Sequence, residues 1–194
     1  MTTRAPIVVA VVPAAGASTR FGRMKLLADV GGAPMLERTL ASLLGAGVAR
    51  VVVVTREGGT FAPVPAMADP RVAAVVNPDP ARGMFSSIQV GLAAAGGDVV
   101  IVLPADMPFV AGGTVAAIVA RALATGSVVI PVHDGRRGHP IAIPRALCDE
   151  LLSRAPTTTL KDALAASGAT PFPLDVPDAG ILRDVDVPGD LAAP

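Results

Sequence analysis

At 194 residues, with 52% hydrophobic and only 16% charged residues, the chain can bury a substantial core and is not intrinsically disordered. Sixteen Lys and Arg against sixteen Asp and Glu leave zero formal charge, and aromatics make up 3%, with no Trp or Tyr. The chain therefore has neither a field to hold a nucleic-acid backbone or an anionic membrane surface nor a stacking platform for bases, and the expected ligand is a small molecule.

A single cysteine, Cys148, excludes an internal disulfide framework, and its RALCDEL context puts it on the apolar side of a helix, in the core. The apolar stretch 7–15 is too short to span a bilayer and has no following cleavage pattern, so a soluble, cytoplasmic protein is expected.

In chain order, Val-rich runs at 7–12, 50–55, 72–76, 98–103 and 127–132 read as strands, most of them apolar on both faces. Between them, segments at 35–46, 86–95 and 114–125 carry helical periodicity and end at Gly or Pro. The alternation predicts an α/β protein, a single-domain, doubly wound, mostly parallel sheet spanning 1–194. After residue 132 the pattern loosens into the loop DGRRGHP, a short strand, two short helices and a Pro-rich tail. In such a sheet the ligand sits beyond the carboxyl ends of the strands, so the segments that follow each strand carry the function.

The first of these, VVPAAGASTRFGRMK, has small residues from Ala14 to Ser18 that let the main chain approach a ligand and offer it backbone N–H groups. Arg20, Arg23 and Lys25 follow, three cations within six residues, a suitable clamp for a polyphosphate. The spacing matches neither GxxxxGK followed by Ser or Thr, nor GxGxxG, which argues against a P-loop and a dinucleotide fold. Taken alone, the loop is equally a Gly-rich turn flanked by solvated arginines.

After the third strand, NPDPARGMFSSIQVGL runs from a Pro-broken loop into a helix whose first turn offers Ser86, Ser87 and free N–H groups; helix capping explains these serines equally well. After the fourth, LPADMPF holds Asp106 just past the sheet edge between two prolines. A carboxylate facing a triphosphate needs a cation between them, and Mg²⁺ with oxygen ligands fits, although Asp106 could also serve as a turn or capping residue. His139, in RGHP, reads locally as a structural donor. In RDVDVPGDL, Asp184 and Asp186 share a face of any extended segment, while Asp190 is suited to cap a terminal helix.

Taken together, these segments resemble the MobA-like NTP transferase family. The family's loop AAGxSxRxGxxK is matched by Ala14, Ala15, Gly16, Ser18, Arg20, Gly22 and Lys25, and Arg23 lies outside it. The segment from Gly83 to Leu92 resembles its GMxxSxxxGL, Asp106 stands in its AspMetPro metal segment, and 184–191 resembles its closing DxDTPxDL, with Val187 in place of Thr. The resemblance implies a Rossmann-like nucleotidyltransferase fold and a nucleotide held by Ala14, Ala15, Gly16, Ser18, Arg20, Lys25, Ser86 and Ser87. It further implies Mg²⁺ on Asp106 and Asp186, with Arg20, Lys25 and Asp106 as the catalytic set.

Within the family, Ala15 together with Arg137, Gly138, His139 and Pro140 resembles the CTP-using, molybdopterin cytidylyltransferase branch, with the RGHP segment shaping an acceptor or base pocket; His133 has no such support. The activity implied is transfer of a nucleoside monophosphate from CTP, or another NTP, to molybdopterin or another phosphorylated acceptor. Rival readings are a transferase acting on a sugar or polyol phosphate, an accessory protein that delivers or senses cofactor for a molybdenum hydroxylase, and an oxidoreductase on the same scaffold.

Overall fold

The computed structural model describes residues 4–16 and 25–191, apart from the side chain of Pro188. In chain order the elements are β1 (Val8–Pro13), α1 (Met35–Gly45), β2 (Arg50–Arg56), β3 (Val72–Asn77), α2 (Met84–Ala95), β4 (Val99–Val102), α3 (Gly112–Thr125), β5 (Val129–His133), β6 (Arg136–Arg137), β7 (Ile141–Pro144), α4 (Arg145–Ser153), α5 (Leu160–Ala166) and β8 (Phe172–Asp175). Short 3-10 turns, among them Lys25–Leu27 and Ala179–Leu182, link several of them.

The strands form one sheet in the order β3-β2-β1-β4-β7-β5-β6, with β8 also paired to β5. β1 pairs in parallel with β2 and β4, β2 in parallel with β3, and β5 in parallel with β8. The mostly parallel, doubly wound architecture expected from the alternation is therefore present. It is interrupted by β7, which lies antiparallel to both β4 and β5. β6 and β7 act as one broken strand running back along β5, and the break between them is Gly138–Pro140, the RGHP segment.

Alternating side chains of β1 feed two separate cores. Val8, Ala10 and Val12 pack with Leu36, Leu40 and Leu43 of α1 and with Val115 and Ile118 of α3. Val9 and Val11 pack with Phe85, Ile88 and Leu92 of α2, Cys148 and Leu151 of α4, and Leu164 of α5. Both faces of the central strands are thus covered, which explains why they read as unbroken apolar runs. The α2–β1 contact is close: a Cβ on Gly91 would lie 2.2 Å from Val11 Cγ1. Glycine there lets the middle of α2 pack closely against β1 and β2. No helix among the described residues is long and apolar enough to cross a membrane.

Candidate active site

The carboxyl ends of β1, β3 and β4 converge on a cavity of about 340 Å³ whose walls include Ala14, Ala15, Gly16, Lys25, Ser87, Asp106 and Asp186. The chain leaves β1 with the Ala14 N–H donating to the Val54 carbonyl at 2.7 Å, so Ala14 is tied to the sheet and the N–H groups free to meet a ligand begin beyond it. Ser18 and Arg20, with Gly22 and Arg23, lie outside the described residues.

Asp106 is carried to the cavity by continued strand-like pairing past the end of β4. Leu103 N–H donates to Val11 O at 3.1 Å and Ala105 N–H to Pro13 O at 3.2 Å, while Thr39 Oγ1 of α1 donates to Ala105 O at 3.1 Å. The C-terminal segment is pinned alongside, because Val185 N–H donates to Asp106 O at 3.0 Å. Asp190 does not cap a terminal helix. Its Oδ2 accepts from the amides of Asp186 and Val187, both at 2.9 Å, folding the chain around Asp186. Those amide bonds hold the Asp190 carboxyl below the usual range.

Lys25 closes this arrangement. Its Nζ lies 2.9 Å from Asp106 Oδ2 and 2.8 Å from Asp186 Oδ1, and the residue is 8% exposed. Burial works against its charge, but hydrogen bonds and attraction from Asp186 and Asp106 outweigh it and hold the ammonium above the ordinary lysine value. Two carboxylate oxygens already converge on one cation here, which is the donor set Mg²⁺ requires when substrate phosphates and water complete its shell. No third acidic, His or Cys ligand joins them among the described residues.

Ser86 and Ser87 lie in the first turn of α2 and are both buried. Neither caps the helix. Gly83 holds the N-cap position with φ of 101° and no side-chain bond. Instead Asn77, which sequence reading passed over, donates from Nδ2 to Ser86 Oγ at 2.9 Å and to Ser87 Oγ at 3.0 Å. The signal available was a polar residue ending an apolar strand ahead of a proline. Ser86 Oγ donates onward to Gly83 O at 2.7 Å, and of the two serines Ser87 lines the cavity.

The RGHP segment flanks the site without lining the cavity. Arg137 is exposed, Gly138 and His139 half-buried and Pro140 buried. Gly138 N–H donates to Pro131 O at 2.9 Å and His139 N–H to Ile181 O at 3.0 Å, so the break in the strand is packed against the 3-10 turn Ala179–Leu182. Burial pushes His139 below its ordinary value, with Asp106 and Asp184 pulling the other way. His133 Nδ1 sits 3.0 Å from Val176 O, a structural contact. Asp178, also passed over, anchors the turn: its Oδ2 accepts from Ala111 N–H at 2.9 Å and Thr114 Oγ1 at 2.6 Å at the start of α3.

Known proteins share this arrangement of chain. Over 184 residues the chain is 23% identical to the molybdenum cofactor cytidylyltransferase of Escherichia coli K12, covering 93% of this chain and 92% of that one. Among solved structures, Rv0371c of Mycobacterium tuberculosis H37Rv superposes with a TM-score of 0.81 at 26% identity, over 97% of this chain and 96% of that one. A manganese complex of Rv0371c gives 0.76 at 24%, covering 95% of each chain. A CMP:2-keto-3-deoxy-manno-octonic acid synthetase complexed with CTP gives 0.73 at 17%, again covering 95% of each, and shares the fold. Residues 10–170 match the MobA-like NTP transferase domain, and the chain belongs to that family of nucleotidyltransferases.

Proposed function

We propose that this protein is a Mg²⁺-dependent cytidylyltransferase that transfers CMP from CTP to the terminal phosphate of molybdopterin, releasing pyrophosphate. The observation that carries the reading is Lys25 bridging Asp106 and Asp186 at the mouth of a cavity floored by the loop after β1. Similarity to the E. coli molybdenum cofactor cytidylyltransferase supports the choice of CTP and acceptor. On this reading 1–194 is one catalytic domain working in the cytoplasm, with the acceptor elements mainly in 133–194, around Arg137, Gly138, His139 and Pro140.

In the reaction an acceptor phosphate oxygen forms a bond to the α-phosphorus of CTP as the bond to the β-phosphate oxygen breaks. An ionised phosphate is already a nucleophile, so no general base is needed, and positioning with charge neutralisation supplies the rate. Mg²⁺ held by Asp106 and Asp186 would neutralise charge on the phosphoryl group. Lys25 carries an ammonium that phosphate oxygens can take over from the carboxylates, and with Arg20 it holds the leaving pyrophosphate. The small side chains of Ala14, Ala15 and Gly16 leave room for the nucleotide, and Ser87 meets it from the opposite wall.

The test is pyrophosphate release by the purified protein with Mg²⁺, comparing CTP, GTP and ATP against molybdopterin and a panel of sugar and polyol phosphates, with Asp106→Ala as control. Release with CTP and molybdopterin alone, lost in the variant, is the expected result. Release only with another acceptor would keep nucleotidyl transfer and remove molybdopterin. CTP binding without release from any pair would remove the enzymatic reading.

A further inference from the structure

Lys25 holds together two carboxylates that the chain supplies from 81 and 161 residues further on, with Nζ 2.9 Å from Asp106 Oδ2 and 2.8 Å from Asp186 Oδ1. One ammonium between two carboxylates leaves the cluster a single negative charge, half of what the carboxylates alone would carry. The same carboxylates are the donors a divalent cation would use. An ion that takes over the oxygens on which Nζ sits must first move the ammonium. An ion that binds only the other two oxygens, Asp106 Oδ1 and Asp186 Oδ2, keeps that ammonium a few ångströms away, in a partly buried cluster where solvent and salt screen the repulsion weakly. Either geometry sets Lys25 against the metal.

The donor set points the same way. Among the described residues no group of three or more acidic, His or Cys side chains is placed to hold a metal. Two carboxylates fill only part of the six-oxygen shell of Mg²⁺, and the rest falls to water and phosphate. A triphosphate changes both sides of the balance at once. Its oxygens are acceptors for the ammonium and ligands for the metal, and Lys25, Asp106 and Asp186 all face the one cavity. Once Nζ turns to a phosphate, the two carboxylates face the cation with their full charge.

We propose that Lys25 is a built-in counter-ion that keeps divalent cations off Asp106 and Asp186 until a triphosphate draws its ammonium away, so that metal and nucleotide bind as one coupled event. The inference rests on the nucleotidyl-transfer reading and its metal pair, and goes beyond it by setting when the metal enters. Linkage is reciprocal, so the metal raises nucleotide affinity by the same factor. A lysine that served only to pin the carboxylates together would act with the opposite sign, because its removal would let them move apart and would weaken metal binding.

The test is Mn²⁺ binding to the full chain, read from the paramagnetic resonance signal of free Mn²⁺, in wild type, Lys25→Met and Lys25→Gln, each shown to be folded by circular dichroism. Without nucleotide, both variants should bind one Mn²⁺ at least about tenfold more tightly than wild type, and adding Asp106→Asn should abolish that gain. The series is repeated with whichever of CTP, GTP and ATP binds tightest, with chelation by the free nucleotide measured separately. The nucleotide should raise Mn²⁺ affinity by a factor at least about tenfold larger in wild type than in the variants. Equal or weaker Mn²⁺ binding by the nucleotide-free variants would overturn the inference. So would wild type that takes up Mn²⁺ as tightly without nucleotide as with it, whatever the variants do. Mn²⁺ binding that depends on Asp106 but not on Lys25 would overturn the inference and keep the metal pair, whereas binding indifferent to Asp106 even with nucleotide present would overturn both.

Discussion

Val185 donates its N–H to the carbonyl of Asp106 at 3.0 Å, and this bond joins two segments far apart in sequence so that their carboxylates meet at one lysine. The resulting cluster of Lys25, Asp106 and Asp186 is graded in exposure, with side chains 10%, 24% and 54% accessible. Replacing Lys25 with Met leaves two facing carboxylates without their cation. Breaking a fully buried pair costs more, but Asp186 is half in solvent, so the loss in urea unfolding should be about 1–2 kcal/mol.

The pH dependence of that loss has a definite sign. The folded-state value of Lys25 is raised, so its stabilising contribution is complete below the ordinary lysine value of 10.5 and is lost only as pH rises through the folded value. The difference in unfolding free energy between wild type and Lys25→Met should therefore be level from neutral pH to about 10 and shrink above it. A difference that fell between about pH 7 and 9 would contradict the pairing.

Much of this was legible in the sequence. The runs of Val in β1, β2 and β4 are buried on both faces and could scarcely read as anything else; Lys25 stood out as a cation closing the small-residue loop after β1, and Asp106 as a carboxylate just past β4. Less legible was anything set by contacts between distant segments. The antiparallel course of β7 depends on the fold of the 134–140 loop, which composition does not reveal. Asn77 and Asp178 are ordinary polar residues in their local windows and gain roles only from Ser87 and Thr114, which the topology brings to them. Asp190 looked like a cap because capping is what an isolated Asp near a turn usually does.

Gly138 illustrates a glycine required by close approach. A Cβ there would lie 2.2 Å from the Ile181 carbonyl oxygen, a backbone atom that moves only if the 3-10 turn Ala179–Leu182 moves. Gly138→Ala should cost about 1–3 kcal/mol in urea unfolding, the usual range for forced overpacking. Gly113 in α3 is the control, since a Cβ there meets nothing within 4 Å, and Gly113→Ala should be neutral or stabilise by about 0.4–1 kcal/mol.

Cys148 lies buried in α4, as its apolar context suggested, and burial pushes its thiol up to about 11. Against an ordinary value of 9.0, the reactive thiolate is about a hundredfold scarcer, before any shielding by the core is counted. A thiol reagent at mildly alkaline pH should label the native protein at least about a hundredfold more slowly than the urea-unfolded chain. Labelling at similar rates would mean that α4 opens readily from the sheet.

His139 should make the fold sensitive to mild acid. Burial lowers its folded value below the ordinary 6.5, and attraction from Asp106 and Asp184 offsets this only in part. Below 6.5 the unfolded chain takes up the proton more readily than the folded one, so unfolding gains ground as pH falls until the folded value is reached. His139→Gln keeps a polar side chain without the titration, so its urea midpoint should fall less than that of wild type between about pH 7 and 5.5. Equal declines in the two proteins would assign the acid sensitivity to carboxylates elsewhere.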